Sequence, residues 1–451
     1  MNGQTEKIGV DNGAGRGGID RLLYWRRYPA SLHAAFYLML AVLVFFAFYP
    51  PRQAEGNLAT EVVWKLWWPG LSFLLLAAGR VWCGVCPFGG LSDLAARLRR
   101  PRHAPPGVIR KAGPWLGVVS VFLFGIAFLA LGLEGNAAAT GVILVGMAAL
   151  AFGLSLAWKG RNFCRYLCPI GMITRVYSFF SWMRVRGGGG RRPAMACPVG
   201  QSPASLRQPS QCHLCGACTK GGSAGVRTFT GFAGARLPAR TEFGRVEATL
   251  SIVMLGLMAA DSVRMTPLFA RYQRGALPWF GFNYRLSVIV GVAALTALLL
   301  ASFALASRLL ARRPGGAESV FRSLGFSLLP LTFGVFMALA LQHLWSGAWP
   351  SLQTIAAESR LLDWTGHMPP EDVYFVSIPL KIIQFVFLAV GLGWSLRLAD
   401  RTLQPGREKP GPVPLEVAPH KSGATSLKRP VILLAAGGIS FLFLLPMSGA
   451  C

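Results

Sequence analysis

Apolar runs long enough to cross a bilayer recur about nine times along the chain, and no other feature narrows the fold so sharply. Roughly twenty helical residues span about 30 Å of hydrocarbon. With no water there to bond the backbone, a spanning segment must satisfy its amides internally. The runs lie at 32–50, 62–79, 114–133, 138–157, 246–263, 284–307, 324–345, 373–396 and 430–448. Lys65, Trp67, Trp68 and Pro69 interrupt the second, and Asp261 falls late in the fifth. Apolar residues make up 53% of the 451 and charged residues 14%, against about a quarter charged in soluble domains. The expectation is an all-α integral membrane protein. A soluble enzyme is disfavoured; a disordered chain and a disulfide-stapled mini-protein are excluded.

The net charge of +27 would suggest nucleic-acid binding in a soluble protein. Here the basic residues sit between the apolar runs, as cytoplasmic loops do under the positive-inside rule, so no nucleic-acid partner is expected. Segment 1–31 is basic and places the N-terminus inside; about thirty polar residues form too long a leader for a secretory signal. Loop 80–112 carries seven Arg or Lys against Asp93 alone, and loop 158–245 many Arg against Glu242. Segment 134–137 has only Glu134, and 346–372 is acidic. The exception is 264–285, where Arg264, Arg271, Arg274 and Arg285 fall on the outer side. Alternation therefore predicts N-terminus in and C-terminus out.

Eight of the nine cysteines fall in the two basic loops, on the reducing side where clustered thiols bind metal more often than they pair. Cys212-His-Leu-Cys215-Gly-Ala-Cys218 is a C-x2-C-x2-C run, the spacing that wraps three corners of an iron–sulfur cubane. Zinc, which generally draws paired ligands from two separate turns, is the alternative, and unliganded thiols the third reading. Gly222 stands where a bacterial ferredoxin run would place its fourth cysteine, so that ligand must come from elsewhere; Cys197-Pro198 is available upstream. Two further units, Trp82-Cys83-Gly84-Val85-Cys86-Pro87-Phe88-Gly89 and Phe163-Cys164-Arg165-Tyr166-Leu167-Cys168-Pro169-Ile170-Gly171, both end Cys-Pro-x-Gly. Each follows the predicted cytoplasmic end of a spanning helix, so their four thiols meet one membrane depth and suffice for a second cubane. A buried pair without metal is the bland reading. Neighbouring arginines could offset the clusters' negative charge.

These signatures together resemble the membrane-bound polyferredoxins of the NapH/NosR-like 4Fe-4S family, over roughly residues 60–220. The resemblance implies two [4Fe–4S] clusters on the cytoplasmic face and electron transfer with a membrane or periplasmic partner. One three-cysteine run, instead of two complete ones, limits the expected count to two clusters. The expected ligands are Cys212, Cys215, Cys218 and Cys197 for one cluster, and Cys83, Cys86, Cys164 and Cys168 for the other. Cys168 and Cys197 could be exchanged, because a Cys-Pro cysteine serves the opposite cluster in two-cluster ferredoxins. The predicted organisation is a cytoplasmic tail (1–31), a four-helix membrane domain with both Cys-Pro motifs (32–185), an irregular ferredoxin-like loop (186–245) and a membrane domain of about five helices (246–451).

His343 near an outer helix end suits haem or quinone chemistry, but a bis-histidine haem needs a second histidine and His33 lies at the opposite face. A hydrogen-bonded packing role is expected and haem is not. Asp261 and Lys381 lie near enough to helix ends to snorkel. Cys451 would be periplasmic, either oxidisable or inert. With no nucleophile elbow, P-loop or dinucleotide fingerprint, the chain reads as an electron-transfer component more than a stand-alone enzyme. It would link a quinol or cytoplasmic donor to a periplasmic reductase system. The alternatives are a biogenesis or regulatory factor for a metalloenzyme and a transporter with structural zinc. Membrane lipid, a reductase or assembly protein, and quinone are the expected partners.

Overall fold

The computed structural model describes residues 22–23, 25–49, 57–101, 103–187, 197–201, 206, 209–218, 226–230, 243–311, 316–359, 378–401, 430–433 and 437–438. Within these, seven helices are long and apolar enough to cross a membrane: α1 (Ala30–Phe48), α5 (Gly107–Leu131), α6 (Ala137–Ala157), α9 (Arg245–Arg264), α11 (Tyr284–Leu310), α12 (Ala317–Ser359, over its Ala317–Ala348 part) and α13 (Ile378–Arg401, over Pro379–Ala399). Leu58–Ala78 (α2) and Val81–Arg99 pass the same test only as a pair, and the pair is bent by 110°. Val81–Arg99 is itself divided at Cys86 into α3 (Val81–Val85) and α4 (Pro87–Arg99). Eight of the nine expected apolar runs are thus helical, and the protein is a multi-pass membrane protein. The ninth, 430–448, lies mostly outside the described residues, as do Cys451 and most of the N-terminal tail.

The doubtful second span persists for a local reason. Lys65 pairs at 2.7 Å with Glu61, one turn earlier, and Glu61 is 1% exposed and accepts a 2.6 Å hydrogen bond from Ser351 of α12. The residues Glu61–Trp67 form a π-helical segment, a widened turn of the kind that often marks a functional site. A membrane charge is tolerated when paired inside the bundle. In α12 the expected end near residue 345 is passed: 43 helical residues extend about 64 Å at 1.5 Å per residue. The first part of the predicted acidic outer loop is therefore helix, while 360–377 lies outside the described residues.

The sequence shows no strand pattern in 158–245, yet the structure holds an antiparallel ribbon there. Its strands are β1 (Met183–Gly187) and β2 (Val226–Thr230), with Met183 opposite Thr230 and Gly187 opposite Val226. Two strands alone are marginal in water. This ribbon brings together the two ends of the segment that carries Cys197 to Cys218. That segment is also tied into the membrane half of the fold, because Leu206, Leu214 and Met183 share one apolar cluster with Leu71, Trp82, Phe88 and Phe163. A second, larger cluster joins α5, α9, α11, α12 and α13.

Candidate iron–sulfur site

Two breaks in the chain set the site, one after α2 and one after α6. Both lie at one end of the helix bundle, where α5 and α9 begin. After α2, Gly79 turns the chain with φ +61°, a region glycine enters without steric cost. The short helix α3 then carries Cys83. Cys86 stands at φ −56°, ψ 133° before Pro87, the extended conformation a following proline imposes. Pro87 occupies the first position of α4, where a missing amide costs nothing. The second motif repeats the arrangement. After α6 come α7 (Asn162–Tyr166) and α8 (Pro169–Tyr177). Cys168 caps α8, its Sγ accepting the Gly171 amide at 3.2 Å; Cys86 holds the same place before α4 without a side-chain capping bond, the Phe88 and Gly89 amides lying near its sulfur.

This explains the glycine of each Cys-Pro-x-Gly unit. A Cβ on Gly171 would stand 3.0 Å from the Cys164 carbonyl and 3.5 Å from the Cys168 sulfur; one on Gly89 would stand 2.8 Å from the Arg161 guanidinium. Both units start a helix at Cys-Pro, and in the second the cysteine sulfur caps it. Thr174, one turn into α8, reaches Cys83 Sγ at 3.5 Å. Cys83, Cys86, Cys164 and Cys168 lie within electrostatic range of one another.

In the ferredoxin-like run, Leu214 (φ +52°) and Gly216 (φ +66°) adopt left-handed conformations that curl the chain around its own cysteines. The Leu214 amide donates to Cys212 Sγ at 3.3 Å, and the Ala217 amide to Cys215. Cys212, Cys215 and Cys218, with Cys197, line one pocket. Among the described residues no three His, Cys, Asp or Glu side chains converge as a single-ion site does. The thiols instead line the wall of a cavity, and an all-sulfur donor set around a cavity fits a polynuclear cluster. Burial pushes the Cys164 thiol up to about 11, with Arg161 opposing, and also raises Cys212 and Cys215. Since only thiolate ligates, filling either site must expel protons.

The two cysteine groups are neighbours. A Cβ on Gly84, between Cys83 and Cys86, would stand 2.7 Å from the carbonyl oxygens of both His213 and Leu214. Tyr28, preceding α1, donates to the Leu214 carbonyl at 2.6 Å. His33 of α1 bonds the Gly84 carbonyl at 3.1 Å. Two buried arginines fill the surroundings. Arg80 donates to the carbonyls of Ser210 and Gly171. Arg161 is held by Asp93 and reaches the Cys83 carbonyl. Its charge lies within range of both Cys164 and Cys215. His213 is buried and held neutral by that burial and by Arg80, and among the described residues Nδ1 has no hydrogen-bond partner.

Several of these residues escape a reading of the sequence. Asp93 has a signal, as the lone acid of an arginine-rich loop. Tyr28 has none, because its contact spans 186 residues.

At the other end of the bundle His343 is buried among carboxylates. Nδ1 lies 2.9 Å from Glu134 and Nε2 3.5 Å from Asp261, so the packing histidine is an ion-paired one. Asp261 does not reach for the interface; it also meets Arg264, which binds Glu134 at 3.1 Å. One of the four arginines that break the charge rule is thereby neutralised internally. The segment after it forms α10 (Pro267–Ala276).

A family profile, 4Fe-4S binding domain, matches residues 60–105 and 140–185, the two stretches that supply the paired Cys-Pro units. The chain is 26% identical over 194 residues to the Regulatory protein NosR of Pseudomonas aeruginosa, covering 36% of this chain and 26% of that protein. It is 30% identical over 188 residues to Protein NirI of Paracoccus denitrificans, covering 35% and 27%. The chain thus spans about a quarter of the length of these curated relatives. No solved structure matches. The duplicated Cys-Pro helix starts, the profile covering both and the membrane helices around them make this chain similar to the NosR/NapH-like 4Fe-4S membrane proteins.

Proposed function

We propose that the protein carries electrons through two [4Fe–4S] clusters at the cytoplasmic face of the bacterial inner membrane. Cys83, Cys86, Cys164 and Cys168 hold one, and Cys197, Cys212, Cys215 and Cys218 the other. The electrons pass between a quinol or cytoplasmic donor and a periplasmic respiratory reductase system of the nitrate or nitrous-oxide type. One observation carries this reading: Gly84 of the first group packs against the backbone of the C-x2-C-x2-C run of the second, so the two sites share a wall. The clusters, when bound, supply one-electron chemistry.

The chain's own residues do the rest. Backbone amides of Gly171 and Leu214 donate to sulfur, those of Phe88, Gly89 and Ala217 lie near it, and Arg80 and Arg161 place buried positive charge beside it. Both arrangements favour the more negative, reduced state. The apolar surroundings of Trp82, Phe88 and Phe163 exclude water.

Anaerobically purified protein is expected to hold close to eight iron and eight acid-labile sulfide per chain (roughly, from two four-iron clusters). It should also show reduced-cluster EPR signals that an added quinone reoxidises. Stoichiometric zinc without labile sulfide would sink the proposal. By its name the NosR relative is a regulatory protein, which supports a second reading as a regulatory or assembly factor. Intact clusters indifferent to quinones and to soluble carriers would favour it.

A further inference from the structure

Beside the cysteine cavity lies a second pocket of opposite character. Arg110, Lys159 and Arg165 surround it, all exposed, and its floor is the turn Cys197–Gly200, closed by the Gly200 amide on the Cys197 carbonyl at 2.9 Å. Arg165 lies over the Tyr166 ring, 5.1 Å from its centroid, with its guanidinium against Gly200. The Lys159 amide is fixed to the His103 carbonyl at 2.9 Å. Among the described residues, none of these three cations meets a carboxylate, whereas the deeper Arg161 is fully engaged by Asp93. Cys197, Pro198 and Val199 line both pockets. One strand of backbone therefore separates unneutralised positive charge from the cysteine cavity.

We infer that this pocket is the docking point for a soluble electron-carrier protein with an acidic patch around its redox centre. The inference rests on the cluster reading above and selects the cytoplasmic-donor arm of it. Exposed cationic tips around an open depression suit carboxylates on a partner's surface. A sequestered small anion would call for buried donors aimed inward. Charge complementarity of this kind speeds encounter and orients a weak, transient complex. In the transfer one electron leaves the reduced carrier and one is taken up at the Cys197 side; no bond forms or breaks and no proton is required. The basic excess of this loop thus has a use beyond setting topology.

The test uses full-length protein in detergent with an acidic [2Fe–2S] plant-type ferredoxin as the probe, and cluster reduction followed by stopped flow. The second-order rate should fall at least tenfold as ionic strength rises from about 0.01 M to about 0.3 M, where the screening length shrinks from about 30 Å to under 10 Å. Arg110→Glu with Lys159→Glu, which leaves Arg165 beside Cys164 untouched, should lose at least tenfold at low salt and flatten the salt dependence. Dithionite reduction and iron and sulfide content should stay as in the wild type. The neutral pair Arg110→Gln with Lys159→Gln should fall between. Reversing Arg271 and Arg274 at the far end should change nothing. Wild-type rates and salt dependence in both pocket variants would overturn the docking site. Missing clusters in the wild type would instead overturn the reading beneath it.

Discussion

Arg161 and Asp93, 68 residues apart in sequence, form a two-armed ion pair at 2.9 and 2.6 Å, and the remaining guanidinium nitrogen reaches the Cys83 carbonyl at 3.2 Å. The pair bolts the second Cys-Pro unit to the first, because Arg161 precedes α7 and Asp93 lies on α4. Burial opposes the charge on Arg161, but the Asp93 carboxylate holds the guanidinium protonated.

Asp93→Asn leaves that buried cation with one arm unpaired. Breaking a buried pair costs about 3–5 kcal/mol. Asp93 is 30% exposed, so screening by water should reduce the loss to roughly 1–3 kcal/mol. Thermal unfolding in detergent measures this. Asp93→Glu should recover part of the loss, and an Asn variant as stable as the wild type would show that the pair is dispensable.

Gly84→Ala tests the shared wall directly. The added Cβ would meet two backbone oxygens at 2.7 Å, and backbone cannot swing away as a side-chain tip can. Overpacking of this kind costs about 1–3 kcal/mol, and here it pries the two cysteine groups apart. Iron and sulfide content should drop by at least one cluster's worth. Gly70→Ala, on α2 with nothing within 4 Å, should retain the full content. Equal content in both variants would argue that the two sites do not touch.

How much of this was legible beforehand depends on the reach of each contact. The helices were, since a run such as 284–307 needs only local apolarity. So was the local form of each Cys-Pro unit, because its proline and glycine act within four residues. The bend between α2 and α3 was not, because Gly79 and Arg80 resemble any helix end until Ser181 and Ser210 pack against them. The Glu134–His343–Asp261–Arg264 group draws on two helices and the turn between α5 and α6. Its members looked unrelated in sequence, and Asp261 read as a snorkelling residue. The ribbon β1–β2 was missed because Val226 and its neighbours are too few to show a period.

The carboxylate of Glu134 gives a pH signature. Burial raises its affinity for a proton, but His343 and Arg264 more than reverse this and hold it at about 2, against an ordinary 4.5. The group therefore stabilises the fold fully above pH 4.5, and this contribution is lost as pH falls toward about 2. Glu134→Gln should lower the unfolding temperature by a constant amount from pH 7 down to about 5. The gap to the wild type should then narrow below pH 4.5. Protein stripped of iron and sulfide keeps acid lability out of the measurement. A gap that widens on acidification would contradict the proposed pairing.

The ligand grouping can be tested by counting clusters in double variants. Cys168 caps α8 within range of Cys83, Cys86 and Cys164, whereas Cys197 lines the pocket of Cys212, Cys215 and Cys218. Two ligands of the same cluster are redundant under deletion, because losing either already releases that cluster. Cys215→Ser alone should remove about one cluster's worth of iron and leave the other EPR signal. Adding Cys197→Ser should remove no more. Cys83→Ser with Cys168→Ser should likewise equal Cys83→Ser alone, while Cys83→Ser with Cys197→Ser should empty both sites. If the Cys-Pro cysteines are exchanged, as in two-cluster ferredoxins, the outcomes swap. Cys83→Ser with Cys197→Ser would then spare a cluster, and Cys83→Ser with Cys168→Ser would lose both.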